Sequence, residues 1–343
     1  MSQKADHIIF VVGNSRSGTS LMMRLLNRSP KVHFLNELHF FEKLWSIKDT
    51  DRPISQKEAL TLASRLLFID RYNVLKSFQY DEFAEEAQEV VATLGEEQIY
   101  RQDIYRAVLL RRTLSKGKEI PGEKTPQNLF YLQEILQMFP QAKVINMVRD
   151  PRAVLLSQKR KWRRKYDVDS YIKDHRKEVW RLKMNYHPIT ISRLWVSAIK
   201  AAAVFEAHPQ VMNVRFEEVT SQPQKTLQRI CDFVEIDFQE SMLDVEYNGS
   251  STDINRGQKR YGIQQKANDS WKQGLSKAEI FICQWICGKY FDAFQYERIK
   301  VGLNPFTLLF HIASFPIKLL GALLMNLHRM RNIGEAIRRR LAS

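Results

Sequence analysis

Apolar residues fall along this chain in two rhythms. Short, nearly unbroken runs occur at Ile8 to Val12 ("IIFVV"), Lys31 to Leu35 ("KVHFL"), Ala142 to Val148 ("AKVINMV") and Val211 to Phe216 ("VMNVRF"). Short runs of this kind between loops predict strands. Between them, apolar residues recur at three- and four-residue steps over Thr19 to Asn27, Pro126 to Met138, Pro151 onward, Gln222 to Phe233 and Trp271 to Tyr290. These predict helices. Thr125-Pro126 has the form of a helix start, a capping hydroxyl followed by proline at the first helical position, and Pro140 marks its end. Residues 40 to about 117 are helical in pattern, charged on more than one side and without a strand of the core type, which predicts a helical insertion. The sum is an α/β chain with three α/β/α layers around a central, mostly parallel sheet. A domain of about residues 1–300 is followed by a distinct tail, 301–343.

The tail breaks the pattern. Phe306 to Leu327 ("FTLLFHIASFPIKLLGALLMNL") is long and apolar enough to span a bilayer by length alone. Its polar positions, Thr307, His311, Ser314, Lys318 and Asn326, nevertheless follow helical steps, with a gap at Gly321 and Ala322. One narrow polar stripe on a wide apolar helix predicts a helix lying in a membrane interface. Arg329, Arg331, Arg338, Arg339 and Arg340 follow, suited to anionic headgroups. Packing on the domain, or between two copies in a homodimer, is the competing reading, and Pro316 kinks the helix in either case.

Composition narrows the partners. The 343 residues carry a net charge of +15, which favours anionic partners without choosing among nucleotides, sulfated or phosphorylated groups, nucleic acid and membrane surfaces. A basic stretch from Lys159 to Lys183 is interleaved with Trp162, Tyr166, Tyr171 and Trp180. It reads as a solvated helical face or a contact to an anionic acceptor or membrane; no recognised nucleic-acid module accompanies it, so nucleic acid is not the expected partner. Three cysteines point to a reducing compartment rather than a disulfide framework, and Cys283 and Cys287 read as buried thiols. The first apolar run has only five residues and enters a glycine loop directly, so a cytoplasmic location is expected, peripheral on the inner face of a membrane if the tail docks there.

That loop carries the chemistry. Gly13-Asn14-Ser15-Arg16-Ser17-Gly18-Thr19-Ser20 fits the phosphate-loop pattern G-x-x-x-x-G-K-[ST] except that Thr19 replaces the lysine. Strand, glycine loop and helix are in the required order. The amides of such a loop and of the helix start bind an anion whatever fills the lysine position. What is lost is the charge aimed at the terminal phosphates of a nucleoside triphosphate. Asp150, after the strand "KVINMV", is flanked by Arg149 and Arg152, a pair better suited to an anion than to a metal. A donor with its 5′-phosphate in the loop, a less charged transferred group and a second phosphate elsewhere fits these residues. Sulfuryl transfer can be stabilised by Arg and Lys without Mg²⁺.

"GNSRSGTSLM" with "VRDPRAVLLS" resembles the paired 5′- and 3′-phosphate motifs of sulfotransferases that use 3′-phosphoadenosine 5′-phosphosulfate (PAPS). Within that superfamily the pattern is most similar to tyrosylprotein sulfotransferases and related bacterial enzymes. The resemblance runs from about residue 7 to 295 and implies a phosphate-loop-type fold, PAPS as donor, the nucleotide 3′-phosphoadenosine 5′-phosphate (PAP) as product and no metal. It implies that Glu37 is the general base, that Lys124 in "GEKTP" stabilises the bridging oxygen of the leaving nucleotide, and that Arg16 contacts the phosphosulfate. It places Ser17, Gly18, Thr19 and Ser20 on the 5′ side of the donor, and Arg149 with Ser157 on the 3′-phosphate. Glu123 reads as an orienting or structural residue. Phe216 stands where related enzymes put an aromatic beside adenine, or is core. Lys259 or Arg260 in "GQKRYG" matches a late basic loop over the 3′-phosphate, with spacing that departs from the tyrosylprotein enzymes. The acceptor hydroxyl is open; the apolar tail favours a lipid, glycolipid or membrane-linked glycan. Two other classes are retained: a phosphate-loop kinase using ATP and Mg²⁺, against which Thr19 argues, and a non-catalytic protein binding anions at a membrane surface or on nucleic acid.

Overall fold

The computed structural model describes residues 7–73, 81–95, 98–162, 175–246, 262–263, 268–326 and 333–342. Five strands form one sheet: β1 (Ile9–Gly13), β2 (Val32–Phe34), β3 (Ile120–Glu123), β4 (Lys143–Val148) and β5 (Val211–Arg215). Their order is β2-β3-β1-β4-β5, and every pairing is parallel. β1, central and apolar throughout, is buried on both faces. Phe10 and Val12, with Ile8 just before the strand, enter one hydrophobic cluster, and Ile9 and Val11 the other, the two-residue alternation of a pleated strand.

The layer on the Phe10 side is built mainly by the predicted insertion. Helices α2 (Gln56–Tyr72), α3 (Ala84–Ala92) and α4 (Arg101–Leu114) bury Leu66, Val90, Tyr105 and Val108 in one cluster with Phe10 and Phe139. The segment is therefore one wall of the sandwich rather than an appendage. On the other side, α1 (Thr19–Asn27) and the Pro223–Phe233 helix pack Met22, Leu25, Leu227 and Ile230 against Ile9, Ile145 and Val214. A third cluster gathers α6 (Pro151–Lys159), the Pro188–Ala203 helix and the Lys277–Cys287 helix around Trp195. Cys231, Cys283 and Cys287 are free and buried within these clusters.

Two elements depart from expectation. β3 carries no strand signal of its own, because Pro121 and Gly122 are turn-type residues and proline is normally confined to edge strands. Here the backbone is taken up by β2, with Ile120 N and Leu35 N donating to Lys31 O and Gly122 O. Gly122 is required by close approach: a Cβ there would lie 2.6 Å from the Phe34 ring. The predicted Pro126–Met138 helix divides into a 3₁₀ segment, Pro126–Tyr131, and α5 (Leu132–Met138).

Candidate active site

A candidate residue follows the carboxyl end of each strand, where open α/β sheets place their ligands. The glycine loop follows β1, Glu37 lies three residues past β2, and Lys124, Arg149 and Phe216 follow β3, β4 and β5 directly. The sheet order places the loop between the Glu37–Lys124 side and the Arg149–Phe216 side.

The loop is shaped by three positive φ angles. Gly13 (φ 143°) lies so close to β4 that a Cβ would fall 2.4 Å from Met147 O, and at Gly18 (φ 98°) a Cβ would fall 2.3 Å from the Phe216 ring. Arg16 (φ 77°) is left-handed without being glycine, a strain of order 1 kcal/mol. It is held from both ends: its Nε donates to Ser157 Oγ at 2.8 Å, and its carbonyl accepts from Arg149 Nη1 at 3.3 Å. Residues far apart in sequence thus form one basic constellation over the loop. α1 begins with no side-chain cap and no acidic residue in its first turn, so its first amides present a bare positive helix end. Thr19 is buried and Ser20 exposed. The Ser17 hydroxyl is buried without a hydrogen-bond partner among the described residues and lines a void of about 10 Å³ with Asn14, Asn146 and Trp195.

Arg149 is positioned by its neighbours. Its guanidinium lies 4.2 Å from the centroid of Phe216, and its carbonyl accepts from Trp195 Nε1 at 2.9 Å. Phe216 is itself 7% exposed, packed between Gly18 and Arg149, which is the packing of a core ring under the loop. The basic pair read from "RDPR" divides. Arg152 is buried, pairs with Asp150 at 2.7 Å, donates to Glu297 O and stacks over Trp271 at 4.0 Å. It holds the structure, while Arg149 alone of the two turns to the loop.

On the other side, Lys124 Nζ and Glu37 Oε1 form a close ion pair, with the lysine side chain 8% and the glutamate 32% exposed. The second oxygen of Glu37 lies 3.5 Å from His39 Nε2. Behind them Glu123 is fully buried and accepts from Leu38 N, Thr125 N and Asn128 Nδ2 at 3.4, 3.2 and 2.6 Å, and from the Thr125 hydroxyl. One carboxyl group therefore ties the segment after β2 to the segment after β3. Burial pushes its pKa up to about 7 against the opposing hydrogen bond from Thr125. His39 belongs to no motif in the sequence, where its place two residues after Glu37 is its one signal. Lys259 and Arg260 lie outside the described residues.

Comparison with known proteins identifies the family. The sulfotransferase family model matches residues 9–240. A Caenorhabditis briggsae protein named "Putative protein-tyrosine sulfotransferase" is 24% identical over 277 residues, covering 79% of this chain and 82% of its own length. An uncharacterised Aquifex aeolicus protein is 22% identical over 271 residues, 77% of this chain, which spans only 30% of that protein's length. Among solved structures, the sulfotransferase domain of the Synechococcus PCC 7002 olefin synthase aligns with a TM-score of 0.48 and 20% identity, over 85% of this chain and 95% of its own. The family match spans residues 9–240, about two-thirds of the chain, and on that ground the chain belongs to the sulfotransferase family.

Proposed function

We propose that the chain transfers a sulfuryl group from PAPS to a hydroxyl carried by a lipid, glycolipid or membrane-linked glycan. The observation that carries the donor assignment is the Arg16–Ser157 hydrogen bond, which joins the two anion-binding motifs into one site. The uncapped start of α1 and the glycine cradle suit the 5′-phosphate, and Arg149 with Ser157 suits the 3′-phosphate. PAPS supplies an electrophilic sulfur on a phosphate leaving group. Glu37 takes the proton of the acceptor hydroxyl as its oxygen bonds to sulfur, and Lys124 neutralises the charge that gathers on the bridging phosphate oxygen as the sulfur–oxygen bond breaks. A kinase reading fits less well, because Asp150, the carboxylate after β4, is engaged by Arg152.

The test has two arms. Calorimetry should show PAP binding with Mg²⁺ absent, and Glu37→Gln should keep that affinity while losing sulfuryl transfer from labelled PAPS to fractionated lipid, glycan and protein extracts. Transfer at the wild-type rate by the variant would refute Glu37 as the base; ATP binding in preference to PAP would refute the donor.

The membrane part of the proposal rests on the Pro305–Asn326 helix. From His311 onward its polar positions face the protein, whereas Thr307 is exposed: the His311 backbone carbonyl lies 3.0 Å from His187 Nε2, Lys318 Nζ donates to Lys183 O at 3.3 Å, and Asn326 Nδ2 donates to Asn185 Oδ1 at 2.8 Å. Its apolar face points out, with Phe306 82%, Phe310 69% and Ile317 72% exposed. Full burial of such a side chain is worth about 1.5–3 kcal/mol, and the cationic chain suits an anionic lipid surface, so a helix packed on the domain through its polar side offers its other side to the cytoplasmic leaflet. Phe310→Glu with Ile317→Glu should abolish sedimentation with phosphatidylserine vesicles. If the wild type ignores vesicles and the same substitutions dissolve a dimer, the occupant is a second copy instead.

A further inference from the structure

The C-terminal helix, Ile333–Ala342, returns to the two segments that carry Glu37 and Lys124. Arg339 donates to Phe130 O at 3.1 Å, pairs with Glu134 at 2.6 Å and lies 4.3 Å from the Tyr131 ring centroid, so it sits on the 3₁₀ segment that follows Lys124. Ser197 Oγ donates to the carbonyl of Arg340. The Arg340 side chain turns toward the π-helical turn Phe40–Leu44 that follows Glu37, with Nη2 3.6 Å from Glu42 Oε1.

From Glu42 the contacts continue inward. Its other oxygen, Oε2, lies 3.3 Å from His39 Nδ1, and His39 Nε2 lies 3.5 Å from Glu37 Oε2. The remaining oxygen of Glu37 is the one on Lys124. Each carboxylate in the series therefore meets its two partners through different oxygens, and the imidazole uses both nitrogens. His39 adopts a left-handed backbone (φ 51°) at this point, and its amide donates to Thr125 Oγ1 at 3.4 Å. A non-glycine residue held there by hydrogen bonds from both sides is overdetermined by its surroundings. Glu42 fits the same picture: burial raises its pKa, but the His39 hydrogen bond, with Lys43, His39 and Arg340 nearby, holds it below the ordinary carboxylate value.

Resting on the reading of Glu37 as the base, we infer that His39 and Arg340 are positioning residues: Arg340 fixes Glu42, Glu42 fixes the imidazole, and the imidazole sets the Glu37 carboxylate. The arrangement has the logic of a base oriented by a third group. It makes the last helix of the chain part of the active-site wall, in addition to any part the preceding helix plays at a membrane.

The experiment uses the full chain, with labelled PAPS pre-bound and a pooled lipid, glycan and protein extract added in a single turnover. His39→Asn and Arg340→Ala should each slow transfer roughly 10- to 100-fold, the range expected when a reacting group is displaced by about an ångström. PAP affinity by calorimetry should not change, which also verifies that the variants fold. Arg340→Lys should recover part of the rate, and the double variant should be no slower than His39→Asn alone, because both act through one carboxylate. Wild-type rates in either single variant, or losses that multiply in the double variant, would overturn the inference. Glu37→Gln separates the two levels: if it stays active, the base assignment itself fails; if it is inactive while His39→Asn and Arg340→Ala are not, only the positioning role fails.

Discussion

Glu123 offers a measurement of what the centre of the site costs the fold. Its carboxyl group is fully buried, and burial raises its pKa from 4.5 to about 7, with the nearby Glu37 charge adding to the rise and the Thr125 and Leu38 hydrogen bonds opposing it. The native protein then holds this proton more tightly than the unfolded chain does. The stability that follows is fully present below about pH 4.5 and is lost as pH climbs to about 7. At about 1.4 kcal/mol per pH interval of one, the loss amounts to about 3 kcal/mol. Other carboxylates work the opposite way: Glu42 and Glu279 have lowered pKa values and lose stability as pH falls. The wild-type profile alone therefore mixes signs. The Glu123→Gln variant isolates the term, since glutamine keeps one acceptor oxygen and cannot titrate. Urea unfolding of both proteins should show the gap between them shifting by about 3 kcal/mol in favour of the variant between about pH 4 and about pH 8. A gap that is constant across that range would refute the reasoning, and a shift of opposite sign would mean that the four donors around the carboxylate outweigh its burial.

Three further outcomes are expected. Gly18→Ala forces a Cβ to 2.3 Å from the Phe216 ring at a φ of 98°, so it should destabilise by at least about 1–2 kcal/mol and abolish PAP binding by calorimetry; unaltered PAP affinity would show that the loop tolerates a side chain. Arg152→Ala leaves Asp150 buried without its cation and should cost about 3–5 kcal/mol in urea unfolding, while PAP affinity of the folded protein stays within a few-fold of wild type; loss of PAP binding by the folded variant would return Arg152 to the nucleotide site. Cys231, Cys283 and Cys287 are buried, and burial raises the thiol pKa of Cys231 to about 12 and that of Cys287 well above normal, so a thiol reagent should label none of them before unfolding; fast labelling at any one would contradict that burial.

The parts of the fold legible in the sequence were those in which one chain segment carries its own signal. β1, β4 and β5 are apolar runs bounded by loops, and the glycine loop is defined by spacing alone. β3 lacked such a signal because its stability comes from neighbours: Gly122 is needed by the Phe34 ring and Pro121 lies within a strand paired on both sides. The candidate site divides in the same way. Arg16, Lys124, Arg149 and Ser157 lie in motifs, whereas the series from Glu37 through His39 and Glu42 to Arg340 links positions about 300 residues apart and cannot be read from local pattern. Arg149 and Arg152 are alike in sequence, and only the packing of Trp271, Asp150 and Phe216 shows that one serves structure and the other faces the loop. The tail's polar stripe was visible as a period; its inward direction was not, because periodicity gives a face without saying what covers it.

The seam beneath the Pro305–Asn326 helix joins by hydrogen bonds from Lys318, Asn326 and Arg181, with His187 and Met184 filling in, rather than by interlocking the helix's many leucines. Water can replace most of those bonds, whereas it cannot replace a core. The helix rests on the His175–Met184, Pro188–Ala203 and Lys277–Cys287 helices rather than on the sheet, so every strand pairing is made without it.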